Sequence, residues 1–360
     1  MRAGLAALTL AVALAAWGCS QRPPPQAAAE SSAAESAGAA VDEQPEATPS
    51  KPTKAAGSGN ASAEVGSLAV KAMTYDILPA DASAKDYPWL PAAELKFSAR
   101  APVLVDNIAN ANPGVVGLQG NSGSDPLPVK KLAAGLPDYA WAAADSDVPI
   151  AFKRARYKAL DHGRAVIGGA VDGFSPSVAW VKLRDEAGGR EFFVFNAHLP
   201  AGDDAASAQR RSSAVDGLIA VVHQADASLA TPLVVLGDFA TLDDEDRAVF
   251  ADPLDKLAQL GLADAAQLAQ KDSSDVAEAA SLHDMRATIA GHAYAKVVPQ
   301  TGRHVDYVFV PVEATVASWA VVSGPHIAEG VAGGRSVTVW EGAVASNHSP
   351  VVATVVFTYA

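Results

Sequence analysis

From Gly66 onward the chain shows two kinds of hydrophobic pattern in alternation. Short β-rich runs at 68–78, 115–118, 149–152, 178–183, 192–195 and 233–236 predict strands, and so do runs at 305–310, 316–322, 337–340 and 350–357. Between them the spacing becomes helical. Leu104, Ile108 and Ala111 share one face of a helix that must stop at Asn112-Pro113, because the residue before a proline is driven out of the helical region. Val215, Leu218, Ile219 and Val222 mark a second helix over 205–222. Many strands with few helices predict an α/β domain of two packed sheets flanked by helices. No repeat and no internal Pro- or Ser-rich linker divides it.

The N-terminal stretch has a different pattern. After Met1-Arg2, residues 3–16 form an apolar run of small side chains closed by Trp17-Gly18-Cys19. The run is too short to span a bilayer and reads as a secretory signal. It resembles a bacterial lipoprotein signal, which implies cleavage after Gly18 and a lipid on Cys19, holding the protein to the cell envelope. The alternative is ordinary cleavage near Ala13-Leu14-Ala15 and secretion. Residues 19–65 are Pro, Ala, Ser, Glu and Gly with hardly a large apolar side chain, too little to offset the entropy of ordering. The expected division is therefore a signal at 1–18, a disordered tether at 19–65 and a folded domain at 66–360.

Charge and cysteine content narrow the function. Twenty-seven basic against 40 acidic residues leave a formal charge of -13 over 360 residues, which argues against nucleic acid as a partner. A single cysteine excludes a disulfide framework and a cysteine-ligated metal site. With 49% apolar residues there is material for a large core.

The candidate chemistry collects at strand ends, where a layered α/β fold places its site. These are Thr74-Tyr75-Asp76, Gly117-Leu118-Gln119-Gly120, Asn196-Ala197-His198, Gly237-Asp238-Phe239-Ala240, His304-Val305-Asp306 and Ser346-Asn347-His348. Each alone also fits a turn or a helix cap. In this order they resemble the endonuclease/exonuclease/phosphatase family, which includes DNase I, apurinic endonucleases, inositol polyphosphate phosphatases and sphingomyelinases. Leu136-Pro137-Asp138-Tyr139, the stretch 149–163 and Trp180 to Leu199 are similar to its secreted bacterial members. The resemblance implies a four-layered α/β sandwich of two central mixed β-sheets, a divalent metal, magnesium or manganese, and hydrolysis of a phosphate ester.

Residue by residue, the resemblance makes His198 the donor to the phosphate, with Asn196 beside it. His348 becomes the base-like histidine, Asp306 the carboxylate that orients it, and Asp238 the carboxylate next to the attacking water. The metal side departs from the pattern. Gly120 stands where the family has its leading Glu ligand, Ala240 where it has Asn, Asn347 where it has Asp, and Asp76 where it has Asn. The Glu that supports the phosphate-side histidine aligns with Ser146, flanked by Asp145 and Asp147. Asp76 and Asn347 remain as oxygen donors. Losing one preorganised electrostatic group typically costs about a hundredfold to a thousandfold in turnover, so the expectation is a catalytically weak or inactive relative, a lipid-anchored protein with a protein partner. The alternative is an active phosphoesterase with a rearranged metal site. A structural alternative stands beside this, in which His198 and His348 are satisfied core histidines at the sheet rim and Asp306 only pairs with one of them. The other histidines follow no ligand spacing, and Lys153, Arg154, Arg156 and Lys158 read as a solvated hairpin.

Overall fold

A computed structural model describes residues 66–170, 173–241, 253–269, 281–299 and 302–359. Cys19, the expected signal and the expected tether lie outside the described residues, as do residues 242–252, 270–280 and 300–301.

Six strands build the first sheet: β1 (Gly66–Asp76), β2 (Val115–Gln119), β3 (Tyr139–Ala142), β4 (Ile150–Lys153), β13 (Thr315–Val321) and β16 (Val351–Tyr359), in the order β13-β16-β1-β2-β4-β3. The second sheet has β5 (Tyr157–Val166), β6 (Ser177–Asp185), β7 (Glu191–His198), β8 (Leu233–Asp238), β9 (Leu262–Asp264) and β12 (Asp306–Pro311), in the order β5-β6-β7-β8-β12-β9. Both are mixed, since β1 runs parallel to β2 and β7 parallel to β8 while the other neighbours are antiparallel. Two hairpins stand apart, β10 (Arg286–Ile289) with β11 (His292–Ala295) and β14 (Ile327–Ala332) with β15 (Arg335–Trp340).

Period-2 alternation makes the layers. Leu68, Val70 and Ala72 of β1 meet Phe192, Val194, Val234, Leu236, Val308 and Val310 between the sheets. The alternate positions Met73, Tyr75 and Ile77 face outward onto Leu104 and Ile108 of helix α2 (Phe97–Ala111), which follows the short α1 (Ala92–Leu95), and onto Leu132 of α3 (Pro128–Gly135). On the far side Phe193, Phe195 and Val235 pack against Val215, Leu218 and Val222 of α4 (Ala205–Ala225) and Leu257 of α5 (Pro253–Gln259). The result is the expected sandwich of helices, sheet, sheet and helices. Helix α2 ends at Asn112 in the left-handed region at φ 47°, directly before Pro113. Helix α4 is capped by Asp204, which accepts from the Ser207 amide at 3.0 Å.

Some expectations change in detail. The run 337–340 is a strand, but it pairs with β14 and joins neither large sheet. β5 carries too little apolar alternation to be predicted, because seven of its ten residues are exposed at a sheet edge. The basic run lies where the chain crosses from β4 in one sheet to β5 in the other. Arg156 pairs with Asp185 at 3.2 Å and Lys153 lies 4.4 Å above the Tyr139 ring, so these side chains hold the crossover in place.

Candidate functional site

The same alternation that builds the core also builds the site. The inward row of β1 runs Leu68, Val70, Ala72, Thr74, Asp76, and that of β7 runs Phe192, Val194, Asn196, His198. In β8 the row is Val234, Leu236, Asp238, and in antiparallel β12 it is Val310, Val308, Asp306. Each begins apolar and turns polar at one end of the sandwich. Register completes the arrangement: His198 stands opposite Asp238, and Asp238 opposite Asp306. The mouth between the sheets is thus lined with carboxylates and imidazoles.

Two carboxylate–histidine pairs dominate it. His198 Nδ1 lies 2.6 Å from Asp147 Oδ2, and His348 Nδ1 lies 2.8 Å from Asp306 Oδ2. His198 Nε2 faces Asp76 Oδ2 at 3.6 Å and Asp238 Oδ2 at 3.9 Å. Burial alone would lower both histidines, but the carboxylates outweigh it: His198 rises to about 9, chiefly through Asp147, and His348 to about 10, chiefly through Asp306. Burial raises Asp238 to about 7, with Asp306 adding to the rise and the two histidines opposing it. Asp76 Oδ1 accepts from the Leu78 amide at 2.7 Å, and Asp238 Oδ1 from the Ala240 amide at 2.7 Å. Each therefore turns its second oxygen toward His198. The Phe174 ring packs edge-on to His198 with centroids 4.7 Å apart, forming a wall.

Several sequence candidates sit elsewhere than expected. Ser146 does not support His198; its hydroxyl donates to the Ala143 carbonyl at 2.7 Å, and Asp147, one residue on, takes that place. Asp145 points to Arg164 at 2.8 Å on the surface. Asn196 is fully buried between the sheets, where its Nδ2 donates to the carbonyls of Leu118 at 2.7 Å and Pro149 at 3.1 Å, and its Oδ1 accepts from Gln119. It ties the two sheets together beneath the site. Gly117 makes this possible, because a Cβ there would lie 2.5 Å from Asn196 Oδ1. The backbone carbonyl of Asn347 accepts from the His283 amide at 2.9 Å, and its side-chain oxygen accepts from Ser346 at 3.4 Å. Ala240 holds φ 47° in the turn that binds Asp238.

Gly120 is the largest departure. At φ 75° its missing side chain leaves room that the Asp76 carboxylate borders: a Cβ would lie 3.2 Å from Asp76 Oδ1 and 3.4 Å from Pro79 Cδ. Two further residues escaped sequence reasoning. Arg100 continues the buried face of Leu104 and Ile108 one turn earlier, the one signal that could have placed it inside. His283 packs its ring 4.8 Å from Trp340 with Nε2 unpaired, and burial, then the charge of His348, lowers it to about 3. Nothing in its sequence neighbourhood signals that position.

Fold and site together define a DNase I-like α/β sandwich, the fold of endonuclease/exonuclease/phosphatase proteins. The solved structures it is similar to include an endonuclease/exonuclease/phosphatase family protein from Bacteroides thetaiotaomicron, at 16% identity over 81% of this chain and 99% of that one, with a TM-score of 0.57. A mannosyl-6-phosphatase from the same organism matches at 15% identity over 80% and 100%, with a TM-score of 0.56. D. rerio TDP2 in complex with a single-strand DNA product matches at 17% identity over 80% and 98%, with a TM-score of 0.52. No family model and no curated protein matches the sequence.

Proposed function

We propose that the protein hydrolyses phosphate esters outside the cytoplasm, anchored through a lipid on Cys19. The observation that carries the activity is the pair of carboxylate–histidine dyads, Asp147–His198 at 2.6 Å and Asp306–His348 at 2.8 Å, on strands and loops flanking Asp238. The Asp306–His348 half handles protons: Nδ1 is held and the ring keeps both protons at neutral pH, so Nε2 is the atom that gives one to a leaving group. Asp238, fixed by the Ala240 amide, orients the attacking water. The Asp147–His198 half, with Asp76, forms the cation side of the mouth, Asp147 holding His198 Nδ1 so that Nε2 faces Asp76 and Asp238. A divalent cation would polarise a phosphoryl oxygen here, and Asp76, His198 and Asp238 would hold it, with ligand atoms within 4.8 Å of one another. The mouth fits a cation for a further reason: Asp306 Oδ1 is buried without a partner opposite Asp238. The charge of -13 favours a small phosphate ester over a nucleic acid as substrate.

A second reading, a fold retained with little or no catalysis, is favoured by Gly120, which supplies no ligand where the resemblance implies the leading carboxylate. Hydrolysis of an aryl phosphomonoester and an aryl phosphodiester by the whole chain, with magnesium, manganese or zinc, separates the two. Turnover that falls by about a hundredfold or more in His348→Ala and by about tenfold to a hundredfold in Asp147→Asn is expected. Absence of turnover with every ion sinks the hydrolase reading in favour of the second.

A further inference from the structure

The resemblance implies magnesium, but the donor set of this mouth is different in kind. Magnesium takes hard oxygen ligands in near-octahedral order. Here the donors that converge are two carboxylates and one imidazole nitrogen, Asp76, Asp238 and His198. Gly120 withholds the additional oxygen, and the Asp76 carboxylate borders the space that a side chain there would enter.

His198 is prepared as a ligand by its other nitrogen. Metal-bound histidines usually give the second ring N–H to a carboxylate, which fixes the tautomer and leaves a lone pair on the ligating atom. Asp147 Oδ2 does this at Nδ1, 2.6 Å away, and Nε2 then faces Asp76 Oδ2 at 3.6 Å and Asp238 Oδ2 at 3.9 Å. With bonds of about 2.1 Å, neighbouring donors stand roughly 3.4 Å apart around a tetrahedral ion and roughly 3.0 Å apart around an octahedral one. Both observed spacings exceed the octahedral cis separation, and the donor chemistry, two carboxylates with an imidazole, carries the choice of ion. A second and independent observation is Asp306 Oδ1, an acceptor buried opposite Asp238 without a protein donor.

We propose that Asp76, His198 and Asp238 form a three-ligand site for a zinc-class transition ion, with Asp147 as the positioning residue behind His198, in place of an all-oxygen magnesium site. The remaining coordination position is left to water or a phosphate oxygen. The proposal deepens the hydrolase reading by naming its ion, and its test reads binding, not turnover.

The test is calorimetric titration of the metal-free whole chain with zinc, cobalt and magnesium, with the visible spectrum of the cobalt form recorded alongside. One equivalent of zinc or cobalt is expected to bind at least a hundredfold more tightly than magnesium, with the intense visible absorption of a four- or five-coordinate cobalt ion. His198→Gln and Asp76→Asn should abolish that spectrum, and Asp147→Asn should weaken binding about tenfold to a hundredfold. Circular dichroism identifies any variant that has lost its fold, and the milder Asp147→Asn then carries the comparison. Magnesium binding as tightly as zinc, or zinc binding unchanged in all three variants, overturns the proposal. Zinc binding as expected without hydrolysis keeps the site and sinks the hydrolase reading. Hydrolysis with magnesium and no zinc binding does the reverse.

Discussion

At the scale of single residues, a buried arginine and a buried histidine each make a testable contribution to stability. Arg100 donates to the carbonyls of Leu95, Ile77, Ala345, Leu78 and Pro79 at 2.7 to 3.0 Å, and burial lowers it to about 10. It thereby ties the segment after Asp76 to the segment before Asn347 and His348. Arg100→Met leaves these carbonyls without their donor and should cost at least about 3 kcal/mol, with Arg100→Lys intermediate because it keeps the charge but has fewer donors. Urea unfolding measures this, and an unchanged midpoint for Arg100→Met would contradict it. His348 makes stability depend on pH. Its folded value of about 10 lies above the ordinary 6.5, so the folded chain keeps a proton that the unfolded chain releases. The contribution is complete below 6.5 and is lost as pH rises through about 10. Chelator-treated protein should therefore melt a few degrees lower at pH 10 than at pH 7. His348→Gln should flatten that slope; a slope equal to the parent's would remove His348 as its cause.

Strand ends and the turns that follow them set the scale of the site's assembly. Asp76 and Gly120 leave neighbouring parallel strands, β1 and β2, whose last paired residues are Asp76 and Gln119. A carboxylate introduced at 120, where the resemblance implies one, is therefore expected to crowd Asp76. A side chain at φ 75° is strained, and a Cβ would press within 3.2 Å of Asp76 Oδ1, bringing a second carboxylate beside the first. Gly120→Glu should destabilise the protein by about 1–2 kcal/mol or more, seen as a lower melting temperature in the absence of metal. Asp76→Asn in the same chain should recover part of that loss by removing the like charge. A Gly120→Glu variant as stable as the parent would show that the turn relaxes freely. One element away, Asn196 and Gly117 act as a unit, the glycine giving way so that the carboxamide can join the sheets.

For the whole molecule the open question is where the domain works. The lipoprotein-like signal and the tether composition support a proposal of envelope anchoring. Metabolic labelling with an alkyne fatty acid should mark the protein and Cys19→Ser should abolish the label. Release of unlabelled parent protein into the medium would favour plain secretion instead. Either way the net charge of -13 disfavours approach of anionic polymers.

Periodicity indicated two packed sheets flanked by helices, and the resemblance supplied the four-layered arrangement with two mixed sheets. Alternation at 68–78 and 192–195, and the helical face of Leu104 and Ile108, foretold two sheets under helices, because burying one face is a local demand repeated along the chain. The polar residues Asp76, His198, Asp238 and Asp306 were legible as candidates from their place at strand ends and from a motif order that resembles the endonuclease/exonuclease/phosphatase family; that they share one inward face came from the structure. Tertiary structure decided the rest. Asp147 supports His198 in place of Ser146 through a loop that has no period to count. Asn196 lies below the mouth, although it stands two residues from His198 on the same face, because only the distance between the sheets determines whether a carboxamide reaches Leu118 and Pro149 or the solvent. His283 and Arg100 meet residues more than 60 positions away, at Asn347 and Ala345. Such contacts depend on register between distant strands and on how loops close over them, and no local pattern in the chain encodes either.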